Sequence, residues 1–297
     1  MKRRVHDKST RDERNTHFES AAAKERVPKE GAARRPTDRA QRASPVVTSH
    51  LYGVSPVLEA LRSGQRPIDR ITIADGVRPD RLREISELAR KSNVPVHHVP
   101  RAELGRLVGP DANHQGVVAS VAAASYKDAD DLLDRLGSRV GTTDPPLAVV
   151  LDGVEDPRNL GAILRTAECA GVHGVFIPER RAVGLTETVA KAAAGALEHI
   201  SVARTVNLAR LIEQLKERNI WIVGTTGDAS TAYTDWDWTQ PSALFLGGEG
   251  SGLHRLVRER CDTLVRIPLH GRIESLNVSV AAGIVLYEAV RQRSQKN

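Results

Sequence analysis

From Leu147 to the end of the chain, short apolar runs alternate with segments of helical periodicity, and this alternation restricts the fold more than any other feature. The runs at 147–151, 174–177, 220–225, 243–246 and 264–267 are of strand length and mostly apolar. Between and after them, 159–170, 186–197, 207–218, 253–260 and 277–292 carry apolar residues at helical spacing. Strands without a polar face must be covered on both sides, and strand–helix alternation makes neighbouring strands parallel. The expected fold is therefore α/β, a parallel sheet layered between helices. In such sheets ligands bind in the loops beyond the carboxyl ends of the strands.

The preceding residues have a different rhythm. Residues 48–124 read as a small α/β domain. Ser55-Pro56 opens a helix that Gly64 closes, 70–74 is a strand, and Leu82, Ile85 and Leu88 mark one face of a helix over 79–91. Residues 94–97 and 116–121 are further strands. Residues 125–146 read as a linker with a helix over 128–136 and a breaker cluster at 141–146. Residues 147–297 then form the second domain. Residues 1–47 hold no Leu, Ile or Trp and one Phe, too little apolar surface to offset the entropy of ordering, so a disordered basic arm is expected there.

Charge bears on the partner. Residues 1–47 carry thirteen Lys/Arg against seven Asp/Glu, a surplus equal to the whole chain's +6. The folded part is formally neutral, so a nucleic-acid surface on it must arise from local placement. Aromatics make up 3% of the chain, which leaves little room for base-stacking platforms. No apolar run is long enough for a membrane span. The basic start lacks a signal-peptide core, and its acidic residues argue against an organellar transit peptide, so a cytoplasmic location is expected. Cys169 and Cys261 lie in helical segments without a CxxC pairing and read as buried, reduced thiols. The histidines show no metal-ligand spacing, and no metal is expected.

Three loops at expected strand ends concentrate the chemistry. In the first, Leu151-Asp-Gly-Val-Glu-Asp-Pro-Arg-Asn, Asn159 stands where a helix N-cap is expected. Arg165 lies off the apolar stripe of Leu160, Ile163, Leu164 and Ala167. Alone, these are a cap and a solvated arginine. The second, Gly247-Gly-Glu-Gly-Ser-Gly252, follows a buried strand. It has neither the GxGxxG dinucleotide spacing nor a P-loop lysine, and Glu249 would repel phosphate. Alone, it is a tight strand-to-helix turn. The third runs from Arg266 through Ile267, Pro268, Ser275, Leu276 and Asn277 into a helix apolar nearly all round, which predicts that the helix is buried. Alone, Ser275 and Asn277 are caps.

In combination, Asn159 with Arg165 six positions on, then GGEGSGL, then IPL…SLNVSVA, resemble the three signature motifs of the SpoU–TrmH family of RNA ribose methyltransferases. The resemblance covers about 147–292. The small domain before it looks like the substrate-binding domain of the RlmB branch, and Gly248 before Glu249 also favours that branch. The resemblance implies a catalytic domain closed by a C-terminal trefoil knot, a homodimer with sites near its interface, and S-adenosyl-L-methionine as cofactor. By position it assigns Gly247, Ile267 and Leu276 to cofactor binding, mainly through backbone groups. It assigns Arg165, Asn159, Glu249, Ser275 and Asn277 to catalysis. The branch methylates a guanosine 2′-hydroxyl in the peptidyl-transferase P-loop of 23S rRNA, so RNA is the implied partner, and DNA is not. In the family, the counterpart of Arg165 is proposed as the base. A guanidinium hardly ever loses its proton in proteins, so stabilising the developing alkoxide and a neighbouring phosphate is the sounder role. Glu249 is the alternative base. Two rivals stand beside this reading: 2′-O-methylation of tRNA or of another rRNA site, and a non-catalytic RNA-binding ribosome-assembly protein. A third, a generic nucleotide-binding oxidoreductase, is disfavoured by the missing glycine fingerprint and by Glu249.

Overall fold

The computed structural model describes residues 48–296, and these form two sheets with their covering helices. The basic arm read from residues 1–47 lies outside the described residues. The smaller sheet contains β1 (Thr48–Tyr52), β2 (Ile68–Ala74), β3 (Val96–Val99) and β4 (Val117–Ala122), in the order β1-β4-β2-β3. Helices α1 (Val54–Ser63), α2 (Pro79–Lys91) and α3 (Arg101–Val108) accompany it. Helix α1 stops where expected: Gly64 takes a left-handed conformation, φ 59°, and its N–H returns to the Ala60 carbonyl. Strand β1 and helix α3 were not expected from the sequence. The first is mixed in polarity, and the second has a glycine within it.

The segment read as a linker carries α4 (Ala129–Gly137), capped by the Asp128 side chain, and buries Leu132, Leu133 and Leu136 against the larger sheet. That sheet holds β5 (Leu147–Asp152), β6 (Gly174–Pro178), β7 (Val202–Thr205), β8 (Trp221–Thr225), β9 (Thr231–Ala232), β10 (Ser242–Gly247) and β11 (Thr263–Arg266). Their order is β7-β6-β5-β10-β8-β11-β9, and every pairing is parallel. Its helices are α5 (Pro157–Cys169), α6 (Glu187–Ala193), α7 (Leu208–Glu217), α8 (Arg255–Arg260) and α9 (Val278–Lys296). Alternate strand residues serve opposite faces. Val149, Leu151, Val175, Leu244 and Leu246 meet α5 and α9, whereas Val150, Phe176, Ile222 and Phe245 meet α4, α7 and α8. This two-sided burial is why the strands read as unbroken apolar runs.

Four expectations need correction. Asn159 is not the cap of α5. Asp156 accepts from the Arg158 N–H, and Pro157 takes the first helical position, where its missing N–H costs nothing. The helix expected over 186–197 ends at Ala193, because Ala194 and Gly195 are both left-handed, and a short 3-10 turn (Ala196–Glu198) follows. Helix α9 is not buried all round. Ala282, Val285, Leu286 and Ala289 are covered, but Val280 and Tyr287 are 50% and 53% exposed. Cys169, at the end of α5, is exposed rather than buried, while Cys261 is half-buried and its thiol is pushed up to about 12 by burial.

The last turns of α9 are fastened to the amino edge of the large sheet by Arg293. Its guanidinium donates to the carbonyls of Pro145 at 2.7 Å, Trp238 at 2.9 Å, Pro146 at 3.2 Å and Gln240 at 3.4 Å. Arg293→Ala leaves these carbonyls short of a charged donor and is expected to destabilise the chain by roughly 2–4 kcal/mol. Urea unfolding of the variant measures this, and a loss below about 0.5 kcal/mol would show that the clamp contributes nothing.

Candidate active site

Strands β5, β8, β10 and β11 end together at the carboxyl edge, where the order of the sheet reverses direction around β5 and β10. The loop after β10 is drawn tightly against its neighbours. The Gly248 N–H donates to the Asp152 carbonyl at 2.8 Å, and the Gly252 N–H donates to the Gly248 carbonyl at 3.1 Å. A Cβ on Gly247 would lie 2.0 Å from the Gly252 carbonyl carbon, and one on Gly248 would lie 2.1 Å from the Gly153 oxygen. No side chain fits at either position. Gly250 and Gly252 turn the loop with φ of 86° and 62°.

The far end of this loop is held by a pair that the sequence reading missed. The buried Asp152 carboxylate accepts the His254 N–H at 2.7 Å and faces His254 Nδ1 at 2.8 Å. The available signal was an acid closing an otherwise apolar strand, but its partner stands 102 positions away.

The buried Asn159, in the first turn of α5, links the other two loops. Its Nδ2 donates to Glu249 Oε1, and its Oδ1 accepts from Asn277 Nδ2 at 3.0 Å. Asn277 Oδ1 is already committed to the N–H of Ser279, at 2.9 Å, and to its hydroxyl, at 2.6 Å. That commitment turns the Asn277 amide nitrogen toward Asn159, which in turn presents its own nitrogen to Glu249. Three segments distant in sequence thus share one directed hydrogen-bond chain. Asn277 also caps α9.

Beside this chain lies a cleft of about 600 Å³, bordered by Thr225, Gly247, Glu249, Ile267, Leu276 and Asn277, with Ser275 at its rim. Its size is that of an ordinary small-molecule site. Among the described residues, no lysine or arginine lines it, while Glu249 and Glu274 do. Such a wall disfavours phosphate and favours a ligand carrying positive charge. Thr225 and Thr226, at the end of β8, were not singled out from the sequence.

Of the residues named from the sequence, the structure gathers Asn159, Glu249, Ser275, Asn277, Gly247, Ile267 and Leu276 around one cleft. Arg165 does not line it. It is exposed on α5, the helix against which α9 packs.

A parallel sheet with an acidic cleft at its carboxyl edge, preceded by a separate small sheet, defines a two-domain α/β protein with a small-molecule site where such sheets bind their ligands. This chain belongs to the SpoU/TrmH family of RNA methyltransferases. Residues 146–287 match the SpoU rRNA methylase family, and residues 50–127 match the RNA 2′-O ribose methyltransferase substrate-binding family. YacO of Bacillus subtilis, placed in the TrmH family of tRNA/rRNA methyltransferases, is 45% identical over 82% of this chain and 96% of its own length. The SpoU methyltransferase AviRb from Streptomyces viridochromogenes, solved with the cofactor AdoMet, superimposes with a TM-score of 0.66 at 28% identity, over 83% of this chain and 90% of its own. An AdoMet-bound rRNA methyltransferase from Sinorhizobium meliloti gives a TM-score of 0.66 at 26% identity, over 82% and 87% of the two chains.

Proposed function

We propose that this enzyme, an S-adenosyl-L-methionine-dependent RNA 2′-O-ribose methyltransferase, acts on a guanosine in the peptidyl-transferase P-loop of 23S rRNA, as the RlmB branch does. The observation that carries the reading is the Asn159–Glu249–Asn277 chain beside a cleft free of basic side chains. When bound, S-adenosylmethionine supplies an electrophilic methyl group on a sulfonium. Its positive charge matches the carboxylates of the cleft, and the backbone around Gly247, Ile267 and Leu276 would hold its adenosine. Glu249, oriented by Asn159, would position the ribose together with Ser275 and Asn277. Arg165 would stabilise the 2′-oxygen as its proton leaves.

The placement of Arg165 favours a homodimer. Arg165 is exposed on α5, and α9, which packs against α5, exposes Val280 and Tyr287; a second copy covering this side would bring a neighbour's cleft toward Arg165. The trefoil knot belongs to the same reading, as what the family resemblance implies for the C-terminal segment. So do the division into a substrate-binding domain over 48–124, a linker over 125–146 and a catalytic domain from 147, and a cytoplasmic site of action. The two-domain likeness to a protein described as an rRNA methyltransferase supports rRNA over tRNA. Among the described residues, no helix is long and apolar enough to cross a membrane.

The test is a nucleotide-resolution map of 2′-O-methylation in a strain lacking this chain. The expected result is loss at one P-loop guanosine of 23S rRNA, restored by the intact chain. Loss confined to tRNA or to another rRNA site would overturn the substrate assignment, and no loss anywhere would favour the non-catalytic rival.

A further inference from the structure

Helix α6 belongs to the large-sheet domain, yet its outer surface and the 3-10 turn after it meet the small domain at four polar points. Glu187 Oε1 accepts the His50 N–H at 2.7 Å. Lys191 Nζ donates to the carbonyls of Tyr52 at 3.0 Å and Asn113 at 2.9 Å, and it lies 4.8 Å from the centre of the Tyr52 ring. Glu59 Oε2 faces His199 Nε2 at 3.2 Å. Arg66 pairs with Glu198 at 3.1 Å, their side chains 11% and 1% exposed. The slot for Lys191 is closely shaped, since a Cβ on Gly53 would fall 2.2 Å from its nitrogen. Among the described residues, the ammonium has no carboxylate partner. Two carbonyls and an aromatic face hold it, and burial lowers its pKa from the ordinary lysine value.

The inner surface of α6 is pressed equally closely onto α5. A Cβ on Gly161 would lie 2.4 Å from the Ala192 Cβ and 2.8 Å from the Val189 carbonyl oxygen, so at this point the two helices meet with no side chain larger than the Ala192 methyl group between them. Helix α5 carries Asn159, the middle member of the hydrogen-bond chain. One short helix therefore spans from the small domain to the element that orients Glu249, with no compliant side-chain layer in between.

We infer that α6 fixes the register between RNA held on the small domain and the methyl-transfer site, and that Lys191 is the positioning residue that keys the two domains together. This rests on the reading that the small domain holds the RNA. Binding through two rigidly related surfaces gains from their effective concentration, and that gain is lost when the surfaces move independently.

The experiment compares the full chain with Lys191→Met and with Glu59→Ala, a milder change in the same seam. For Lys191→Met, the KM for an unmodified 23S rRNA transcript should rise about tenfold, with kcat within about twofold. S-adenosylmethionine affinity, measured by calorimetry, should stay unchanged. Glu59→Ala should raise the KM in the same direction, but less. Spin labels on the exposed Cys169 and on a Lys91→Cys variant should show a narrow distance distribution that broadens when Lys191 is replaced. An unchanged distribution, an unchanged KM in both variants, or joint loss of cofactor and RNA binding would overturn the inference. A wild-type chain that methylates no RNA would instead overturn the functional reading, and the distance distribution would still decide the role of Lys191.

Discussion

Arg165→Ala should lower the rate of methyl transfer by about 10²–10³-fold while leaving S-adenosylmethionine affinity unchanged. In the reaction, the ribose 2′-oxygen bonds to the methyl carbon as the carbon–sulfur bond breaks, and the hydroxyl proton must depart. Negative charge develops on that oxygen, and a preorganised cation beside it lowers the barrier without binding the methyl donor. The geometry separates the two functions, because Arg165 contributes nothing to the cleft wall. Arg165→Lys should recover only part of the rate, since an ammonium keeps the charge but not the planar pair of donors that engages an oxyanion and a phosphate together. Single-turnover transfer and calorimetric binding make the comparison. Equal losses in both would show that Arg165 supports the fold or the cofactor site instead.

Gly248→Ala should be the most damaging single methyl group that can be added to the active-site loop. Its Cβ would sit 2.1 Å from the Gly153 carbonyl oxygen, on backbone that is itself tied to the ends of β5 and β10. Neither side can retreat without breaking the Gly248–Asp152 hydrogen bond. A destabilisation of about 3 kcal/mol or more is expected, together with loss of S-adenosylmethionine binding. Gly250→Ala is the internal comparison. Nothing lies within 4 Å of a Cβ there, and the cost is that of a left-handed φ of 86°, about 1–2 kcal/mol. Urea unfolding and calorimetry of the two variants should therefore separate clearly. Gly248→Ala behaving no worse than Gly250→Ala would contradict the close backbone approach.

How far the sequence could be read depended on whether a signal was local. Strands β5 and β10 were plain because both faces of the sheet are buried, which forces six-residue apolar runs such as Leu147–Asp152 up to its terminal acid. Strand β7 was missed because Val-Ala-Arg-Thr places a charge in mid-strand at the sheet edge, where its outer side carries only an isolated bridge to Lys127. The start of α5 was placed at Asn159 because asparagine is a good cap. Asp156-Pro157 is a better one, and this freed Asn159 to bridge the two other loops. The end of α6 was overrun because Ala194 gives no warning of a left-handed turn. The motif residues were legible one by one, but their convergence was not. It depends on hydrogen bonds between positions 90 and 118 apart, and on the Asp152–His254 clasp that positions the middle loop. The exposed stripe on α9 was hidden for a related reason: a helix apolar all round does not reveal whether its own chain covers every side.

The most direct test of the account is the chemical position of the transferred methyl group. Unmodified 23S rRNA, incubated with this chain and methyl-labelled S-adenosylmethionine and then hydrolysed completely in alkali, should carry its label in alkali-resistant dinucleotides. A methylated 2′-oxygen cannot attack the adjacent phosphodiester, so the bond beside it survives. Label recovered in mononucleotides would place the methyl group on a base, and an Asn159–Glu249–Asn277 cluster that positions a ribose hydroxyl would be the wrong description of this site.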